Sequence, residues 1–339
     1  MKAALLDNFG NPLRVGDTPR PLPLPDEVLV RVEACGVCHS DLQLARGDWP
    51  HVKAKTPLPA ILGHEAVGRV VGMGREARGV EPGDRVGVGW LYSTCGACEQ
   101  CADGAENLCL DRKVTGIAAP GGFAEFLRIR ASHAIRIPDA LAPEQAAPFF
   151  CAGLTVYHAC KKAEIHAGQR VAVFGIGGLG HLAVQLAVHA GAEVTAVDVS
   201  DAKLDFARRL GARRVVHAAA ADAAKQLAEG NGPHVAMVTA PSKSAYDLAF
   251  RTLRRRGTLA VVGIPDENLS FHADDMVIGE FKIVGSAVGT RQEIREVLAL
   301  AAAGKLRCAV ETRVLADIND VFARMQRGEI LGRVVLKME

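Results

Sequence analysis

The sequence lacks most of the features that mark secreted, membrane-spanning or polyanion-binding proteins. Nine cysteines in 339 residues are an odd number at low density, unlike the dense, even sets of disulfide-stapled secreted modules. The opening stretch MKAALLDNFGNP has one lysine and a four-residue apolar run, so we expect no secretory signal. Lys+Arg 40 and Asp+Glu 38 give a formal net charge of +2, which argues against a nucleic-acid partner. Glycine, histidine and charged residues interrupt every long apolar run, so we expect no membrane span and a cytoplasmic protein.

Four of the nine cysteines lie in one short stretch, CGACEQCADGAENLC, with the spacing C-x2-C-x2-C-x7-C. They are Cys95, Cys98, Cys101 and Cys109. In a reducing compartment this spacing favours a metal over disulfides, and four thiolates suit a closed tetrahedral zinc site. Because such a site has no open position, its zinc would be structural. An iron–sulfur cluster is the rival occupant, and a set of redox or unrelated thiols is the alternative to a metal.

The chain changes character along its length. From about residue 25 to 150, short β segments such as EVLVRVEAC are separated by glycine and proline. From about residue 168, six short apolar runs follow, most of them separated by stretches of helix length: RVAVFG, EVTAVD, RRVVH, VAMVTA, TLAVVG and KIVGSA. This rhythm predicts an α/β part with a parallel, doubly wound sheet.

The first of these runs leads into GIGGLGHLAVQLAVHAG, which fits a dinucleotide-binding turn. Gly175, Gly177 and Gly180 match G-x-G-x-x-G, directly after a strand and before an amphipathic helix. The glycines allow a tight turn and the close approach of a pyrophosphate to the helix N-terminus. Asp198 ends the second strand, where a carboxylate can bind both hydroxyls of an adenosine ribose and repel a 2′-phosphate. These residues predict NAD as the cofactor in preference to NADP.

Hydride transfer needs a group that polarises the substrate oxygen, and CGVCHSDLQ and LGHEAVG contain candidates. Cys38 and His64 are zinc-type ligands, and Cys151 in APFFCAGLT could complete a three-ligand set with an open fourth position. No local motif links the three, so only the fold could join them. Taken singly, each has an ordinary alternative, because cysteine is commonly buried and His64 could be a hydrogen-bonded core histidine.

Together these motifs resemble the zinc-dependent medium-chain alcohol dehydrogenases of the shorter bacterial and yeast type, across essentially the whole chain. GHEAVGRVVGMG resembles the zinc signature of that family, and CGVCHSDL, GDWP, WLYSTCGACEQC, FFCAG, GIGGLGH and LGRVVL stand in the family order. The resemblance implies that Cys38, His64 and Cys151 bind a catalytic zinc, with Glu65 an occasional fourth ligand. Asp41 would orient the histidine. The four closely spaced cysteines, from Cys95 to Cys109, would hold a second, structural zinc.

The resemblance also implies two domains and an assembly. A GroES-like catalytic domain would comprise residues 1–152 and 289–339, with a zinc lobe at about 91–112, and a Rossmann domain would comprise 153–288. Homotetramers are expected, built from dimers that continue one sheet into the next subunit. Trp49 and Trp90 would line the substrate pocket, which suits primary alcohols and aldehydes. The expected cofactor-binding residues are His39, Thr155, Gly175, Gly177, Gly178, Leu179, Gly180, Asp198, Lys203, Gly263 and Arg333.

The implied chemistry is the interconversion of alcohols and aldehydes by hydride transfer to and from NAD, with Ser40 taking the hydroxyl proton. Glu65, Asp41 and His39 complete the expected catalytic set. The stretch from Cys38 to Gln43 departs from the C-H-T-D-L-H of many relatives: Ser40 keeps the hydroxyl, but the amide of Gln43 cannot take up the relayed proton. A zinc polyol or secondary alcohol dehydrogenase, a zinc-free reductase and a non-catalytic NAD-binding sensor are the alternatives.

Overall fold

The computed structural model describes residues 1–338, which form two compact units. The first unit contains residues 1–154 and the chain from Thr290 onward, and the second is Thr155–Gly289. The breaks therefore fall one or two residues from the expected boundaries. The first break lies inside a helix, where neither composition nor turn residues mark a border. Among the described residues, no helix is long and apolar enough to cross a bilayer.

Short strands dominate the chain before residue 140, where glycine and proline keep interrupting the apolar alternation. The strands are β1 (Lys2–Leu6), β2 (Arg14–Asp17), β3 (Glu27–Val37), β4 (Ala60–Ile61), β5 (Ala66–Met73), β6 (Arg85–Val88), β7 (Leu91–Ser93), β8 (Lys113–Val114), β9 (Phe126–Arg130) and β10 (Ile135–Arg136). The helices up to the first break are α1 (His39–Arg46), α2 (Pro50–Lys53), α3 (Glu99–Ala102), α4 (Pro143–Ala146) and α5 (Ala152–Lys162).

The second unit alternates strand and helix as the apolar runs predict. Its strands are β11 (Arg170–Phe174), β12 (Glu193–Asp198), β13 (Arg214–His217), β14 (Val235–Val238), β15 (Thr258–Val261) and β16 (Lys282–Gly285). Its helices are α6 (Gly180–His189), α7 (Asp201–Arg209), α8 (Ala223–Ala228), α9 (Lys243–Thr252) and α10 (Ala273–Gly279). All strand pairs are parallel, in the order β13-β12-β11-β14-β15-β16. This order is that of a Rossmann sheet, so the predicted fold class is confirmed.

The chain then returns to the first unit. The returning elements are α11 (Arg291–Ala302), β17 (Val310–Val314), α12 (Ile318–Gln326) and β18 (Arg333–Lys337). Helix α11 is amphipathic, and β18 coincides with the apolar run RVVLK near the end of the chain. Strand β17 is mostly exposed and polar, which hides the alternation expected of a strand.

The main sheet of the first unit has the order β10-β6-β5-β3-β18-β17, and β9 also pairs with β3. Nearly all of the long strand β3 is buried, because it has apolar side chains on both faces of the sheet and both faces are packed. Its end pairs with β5 through Cys35↔Ala66 and with β18 through Val37↔Val334. Because both pairings are antiparallel, the C-terminal end of β3 lies beside the N-terminal ends of β5 and β18.

Candidate functional site

A buried cluster of metal-type ligands lies where the end of β3 meets the starts of β5 and β18. Cys38 follows β3 as the N-cap of α1, and His64 and Glu65 immediately precede β5. With Cys151 they form a group in which one ligand atom from each residue lies within 4.8 Å of the others. All four residues are buried. The strand register thus joins residues that no local motif links.

Asp41 holds both the histidine and the loop around it. Its Oδ1 lies 3.0 Å from His64 Nδ1 and accepts a hydrogen bond from Gly63 N at 3.1 Å. Its Oδ2 accepts from Cys38 N at 2.9 Å. A carboxylate at Nδ1 selects the tautomer with the proton on Nδ1 and leaves the Nε2 lone pair available.

His64 Nε2 is buried and has no hydrogen-bond partner among residues 1–338. A polar atom in this state normally costs free energy, so its presence calls for a ligand. Burial alone would lower the pKa of His64, but the adjacent Asp41 outweighs it and raises the pKa well above its usual value. His64 thus lies within reach of the sulfurs of Cys38 and Cys151, and an imidazole nitrogen with two thiolates is a donor set that zinc prefers.

Cys151 reaches the cluster through the two phenylalanines that precede it. Phe149 and Phe150 lie in a 3-10 turn, Ala147–Phe150, and both are buried. A Cβ on Gly87 would lie 1.9 Å from the Phe150 ring, so only glycine in β6 admits this packing. Cys151 Sγ lies 3.9 Å from Cys38 Sγ, and this contact lowers the pKa of Cys38 well below its usual value.

Glu65, a member of the cluster, forms a buried ion pair with Arg333 that sequence reasoning missed. Glu65 Oε1 accepts from Arg333 Nη2, and the side chains are 0% and 4% exposed. Burial raises the pKa of Glu65 to about 7 despite the opposing arginine. Gly36 makes room for this carboxylate, because a Cβ there would lie 2.0 Å from Glu65 Oε2. A glycine inside a strand was the one available signal of such a close approach.

Other expected site residues surround the cluster. Trp90 packs edge-on against His64, with ring centroids 4.9 Å apart. Ser40 and His39 open α1 and are half-buried, and Gln43 follows Ser40 by three residues, which puts the two on one face of the helix. Trp49 is half-buried as the N-cap of α2.

The four-cysteine lobe forms a second group at the surface. The sulfurs of Cys95, Cys98, Cys101 and Cys109 also lie within 4.8 Å of one another. Cys95 Sγ is 3.9 Å from Cys101 Sγ and 3.6 Å from Cys109 Sγ. Backbone N–H groups of Ala97 and Cys98 lower the pKa of Cys95 to about 6, which favours the thiolate that binds metals.

The glycine-rich turn has the geometry that a pyrophosphate needs. Gly175 has φ +89°, a conformation suited to glycine, and a Cβ on Gly180 would lie 1.8 Å from Gly175 O. A Cβ on Gly177 would meet nothing within 4 Å, so open space adjoins the backbone at this point. The first and third glycines therefore allow the turn and the packing of α6, and the second leaves room for a ligand.

Asp198 lies beside this turn and is almost fully buried. Its Oδ2 accepts from Ile176 N at 2.6 Å and its Oδ1 from Ser200 N at 3.0 Å. The remaining expected cofactor residues in the second unit have different positions and burial. They are the half-buried Gly178 and Leu179 in the turn, Thr155 buried in α5, Lys203 in α7 and Gly263 just after β15.

A Rossmann sheet and a β-rich unit with two cysteine clusters define a class, the metal-binding nicotinamide dehydrogenases. Residues 24–139 match the alcohol dehydrogenase GroES-like domain, and residues 178–303 match the zinc-binding dehydrogenase domain. The chain belongs to the zinc-binding, medium-chain alcohol dehydrogenase family. It is thus an oxidoreductase, as the resemblance implies.

Named relatives agree along the whole chain. An alcohol dehydrogenase of Geobacillus stearothermophilus is 47% identical over 340 residues, covering 100% of both proteins. The crystal structure of the alcohol dehydrogenase from Aeropyrum pernix matches with a TM-score of 0.92 and 39% identity, covering 99% of this chain and 100% of that chain.

Solved relatives differ in the nicotinamide cofactor with which they are described. Acetophenone reductase from Geotrichum candidum, in complex with NAD, has a TM-score of 0.89 and 33% identity, covering 99% and 96% of the two chains. A zinc-binding dehydrogenase from Sinorhizobium meliloti, bound to NADP, has a TM-score of 0.89 and 29% identity, covering 99% and 98%. The choice of cofactor therefore depends on this chain's own residues.

Proposed function

We propose that this protein interconverts primary alcohols, aliphatic or aromatic, and their aldehydes, with NAD as hydride carrier and one catalytic zinc per subunit. The observation that carries the proposal is the buried group of Cys38, His64 and Cys151 around the unpartnered His64 Nε2. Two thiolates and one neutral imidazole are a ligand set that leaves zinc an open position for substrate. Glu65 stands by as a carboxylate that can pair with Arg333 or approach the metal.

When bound, zinc held by Cys38, His64 and Cys151 would supply a Lewis acid that lowers the pKa of the alcohol, and NAD would supply the hydride acceptor. The residues of the chain orient the metal ligand, accept the proton, contact the cofactor and shape the pocket. Asp41 keeps the proton on His64 Nδ1, so that Nε2 faces the cavity. Ser40 takes the hydroxyl proton and His39 contacts the cofactor, both from the first turn of α1. The indoles of Trp49 and Trp90 wall the pocket against branched substrates.

The preference for NAD rests on Asp198. Its carboxylate is held at the end of β12 by two backbone amides, next to the open space at Gly177. A fixed negative charge there favours ribose hydroxyls and repels a 2′-phosphate. Val199 and Ser200 follow without an arginine that could clamp such a phosphate. Thr155, Lys203, Gly263 and Arg333 complete the proposed cofactor contacts.

The second zinc belongs to the four-cysteine lobe and is structural, since four thiolates close its coordination. Assembly into a homotetramer is the remaining part of the proposal. Strand β16 lies at the end of its sheet, and Val277, Ile278 and Ile283 close to it are exposed. An exposed apolar edge of this kind favours pairing with a second copy. Light scattering of the purified protein would measure the oligomer.

The decisive experiment is an initial-rate panel with primary, secondary, aromatic and polyol substrates, run with NAD and with NADP, alongside zinc determination. We expect two zinc ions per subunit, the highest kcat/KM with a primary alcohol, and a strong preference for NAD. Highest kcat/KM with polyols or secondary alcohols would overturn the substrate assignment. A preference for NADP would overturn the cofactor assignment, and absence of turnover would favour a sensor.

A further inference from the structure

The four-cysteine lobe is tied to the start of α11 by polar contacts that the metal ligands themselves do not require. Glu106 lies between Cys101 and Cys109, and its carboxylate accepts three hydrogen bonds from Arg291. Nε reaches Oε1 at 2.8 Å, Nη2 reaches Oε2 at 2.8 Å, and the backbone N reaches Oε1 at 2.9 Å. The side chain of Arg291 is 27% exposed and that of Glu106 is 13% exposed, so water screens this bidentate pair only partly.

The same arginine also contacts a segment, residues 131–133, that packs against the start of the lobe. Arg291 Nη1 donates to Ser132 O at 2.6 Å. The next residue, His133, has Nε2 at 3.2 Å from Thr94 Oγ1 and Nδ1 at 3.0 Å from Ser132 Oγ. Thr94 directly precedes Cys95, the first cysteine of the lobe. Burial and then the charge of Arg291 lower the pKa of His133 to about 4, so its ring is neutral at ordinary pH.

Arg291 is well placed to hold a lobe because its own backbone is fixed. It is the first residue of α11, after the N-cap Thr290, whose hydroxyl accepts from Glu293 N at 3.3 Å in a capping box. The chain re-enters the first unit at this point. A guanidinium on a capped helix start loses little further freedom when it forms its hydrogen bonds.

We propose that Arg291 is a positioning residue that clamps the four-cysteine lobe, directly through Glu106 and indirectly through the segment 131–133, so that metal retention there and order in the first turn of α11 depend on each other. This inference rests on the proposal above that the lobe holds a metal. The dependence is reciprocal, because a docked lobe that favours metal binding must be favoured by the metal to the same extent.

The first test measures metal protection cysteine by cysteine. Zinc-loaded full-length Arg291→Lys, which keeps the charge but loses the planar fork, is alkylated with iodoacetamide and mapped by peptide mass spectrometry. We expect Cys95, Cys98, Cys101 and Cys109 to react about tenfold faster than in wild type, the effect of losing a charged hydrogen bond. Cys38 and Cys151 should be unchanged. Glu106→Gln should act in the same direction if Arg291→Lys does not fold.

The matched control is Arg324→Lys. Arg324 forms a similar fork in the same unit, with Nη1 at 2.7 Å and Nη2 at 2.9 Å from the two oxygens of Glu311. It should leave the lobe cysteines as slow as in wild type. Equal alkylation rates in Arg291→Lys, Glu106→Gln and Arg324→Lys would overturn the clamp.

The second test reverses the direction. Cys98→Ser lacks a lobe ligand, and hydrogen exchange compares it with wild type. Amides of residues 291–296 should exchange several-fold faster in the variant, while those of α12 should not change. Unchanged exchange at 291–296 would overturn the coupling. If the wild-type lobe cysteines react equally fast before and after chelation, the lobe holds no metal, and the proposed structural zinc fails together with this inference. If they are protected but indifferent to Arg291, only the clamp fails.

Discussion

The first unit contains two cysteine clusters whose ligands are similar and whose surroundings are opposite. The cluster at Cys38, His64 and Cys151 is buried, combines sulfur with an imidazole, and leaves His64 Nε2 without a partner among the described residues. The lobe cluster has four sulfurs, three of them on exposed or half-buried residues, and its local backbone amides point at them. Both clusters contain cysteines, so the residue type does not determine whether a cluster is buried. The position of the ligands in the fold determines it.

We therefore expect different roles for the metal ions proposed at the two clusters. In the buried cluster, the three ligands Cys38, His64 and Cys151 would leave zinc an open position for an exchangeable ligand, and Glu65, which pairs with Arg333, is the fourth candidate ligand. In the lobe, four thiolates would close a tetrahedral site, and the N–H···S contacts favour those thiolates. A site that is to take part in chemistry must stay incomplete, whereas a site that only holds a loop can be closed.

Cys151→Ser gives the largest contrast between the two clusters. We expect loss of one of two zinc ions and a fall in kcat/KM of about a thousandfold or more, since the Lewis acid supplies several kcal/mol. The melting temperature should change little, because the lobe stays loaded. Activity, zinc content and thermal unfolding of the same preparation check this. Full activity with two zinc ions would contradict the catalytic role of the buried cluster.

Cys98→Ser should show the opposite pattern. Loss of the lobe metal removes binding free energy that is coupled to folding, on the order of several kcal/mol. We expect the melting temperature to fall by roughly 5–10 °C. Zinc should again drop by one ion, but the remaining folded protein should turn over alcohol. Differential scanning calorimetry with zinc determination tests this, and an unchanged melting temperature would remove the structural role.

Asp198→Ala sharpens the comparison because it should leave both clusters loaded. The variant loses charge-assisted hydrogen bonds to the ribose, which weakens NAD binding by about 2–4 kcal/mol. Discrimination against NADP should relax, because the repelling charge is gone. The measurement is the Kd of each cofactor by fluorescence titration, with zinc content as the control. A wild-type protein that prefers NADP would contradict the role of Asp198.

Gln43→His is expected to have the smallest effect, confined to the buried cluster. An imidazole at this position of α1 adds an ionisation at about pH 6–7 to the rate profile. Neutral histidine takes up a proton, so alcohol oxidation should quicken by a few fold as the pH rises through that range, provided that proton release limits the rate. Wild type should lack this step. Superimposable profiles would place position 43 outside the proton path.

The predictability of the site differs from residue to residue. The glycine-rich turn was predictable because Gly175, Gly177 and Gly180 are neighbours, and their backbone constraints are local. The lobe cysteines were predictable for the same reason. The pairing of Glu65 with Arg333 was not, because 268 residues separate them and only the register of β18 on β3 brings them together. The family resemblance implies a role for Glu65 and another for Arg333, but it does not predict that the two side chains pair.

The sequence by itself determined the family, the α/β class, the six strands of the dinucleotide sheet and the spacing of the four lobe cysteines. All of these depend on neighbouring residues, whose periodicity and turn chemistry act over a few positions. Only the tertiary structure decided that Cys38, His64 and Cys151 form one buried cluster, that Gly36 and Gly87 make room for the side chains around it, and that Arg291 pairs with Glu106 of the lobe and bonds to Ser132. These contacts arise from strand register and packing, which involve residues far apart in the chain and leave no local pattern to read.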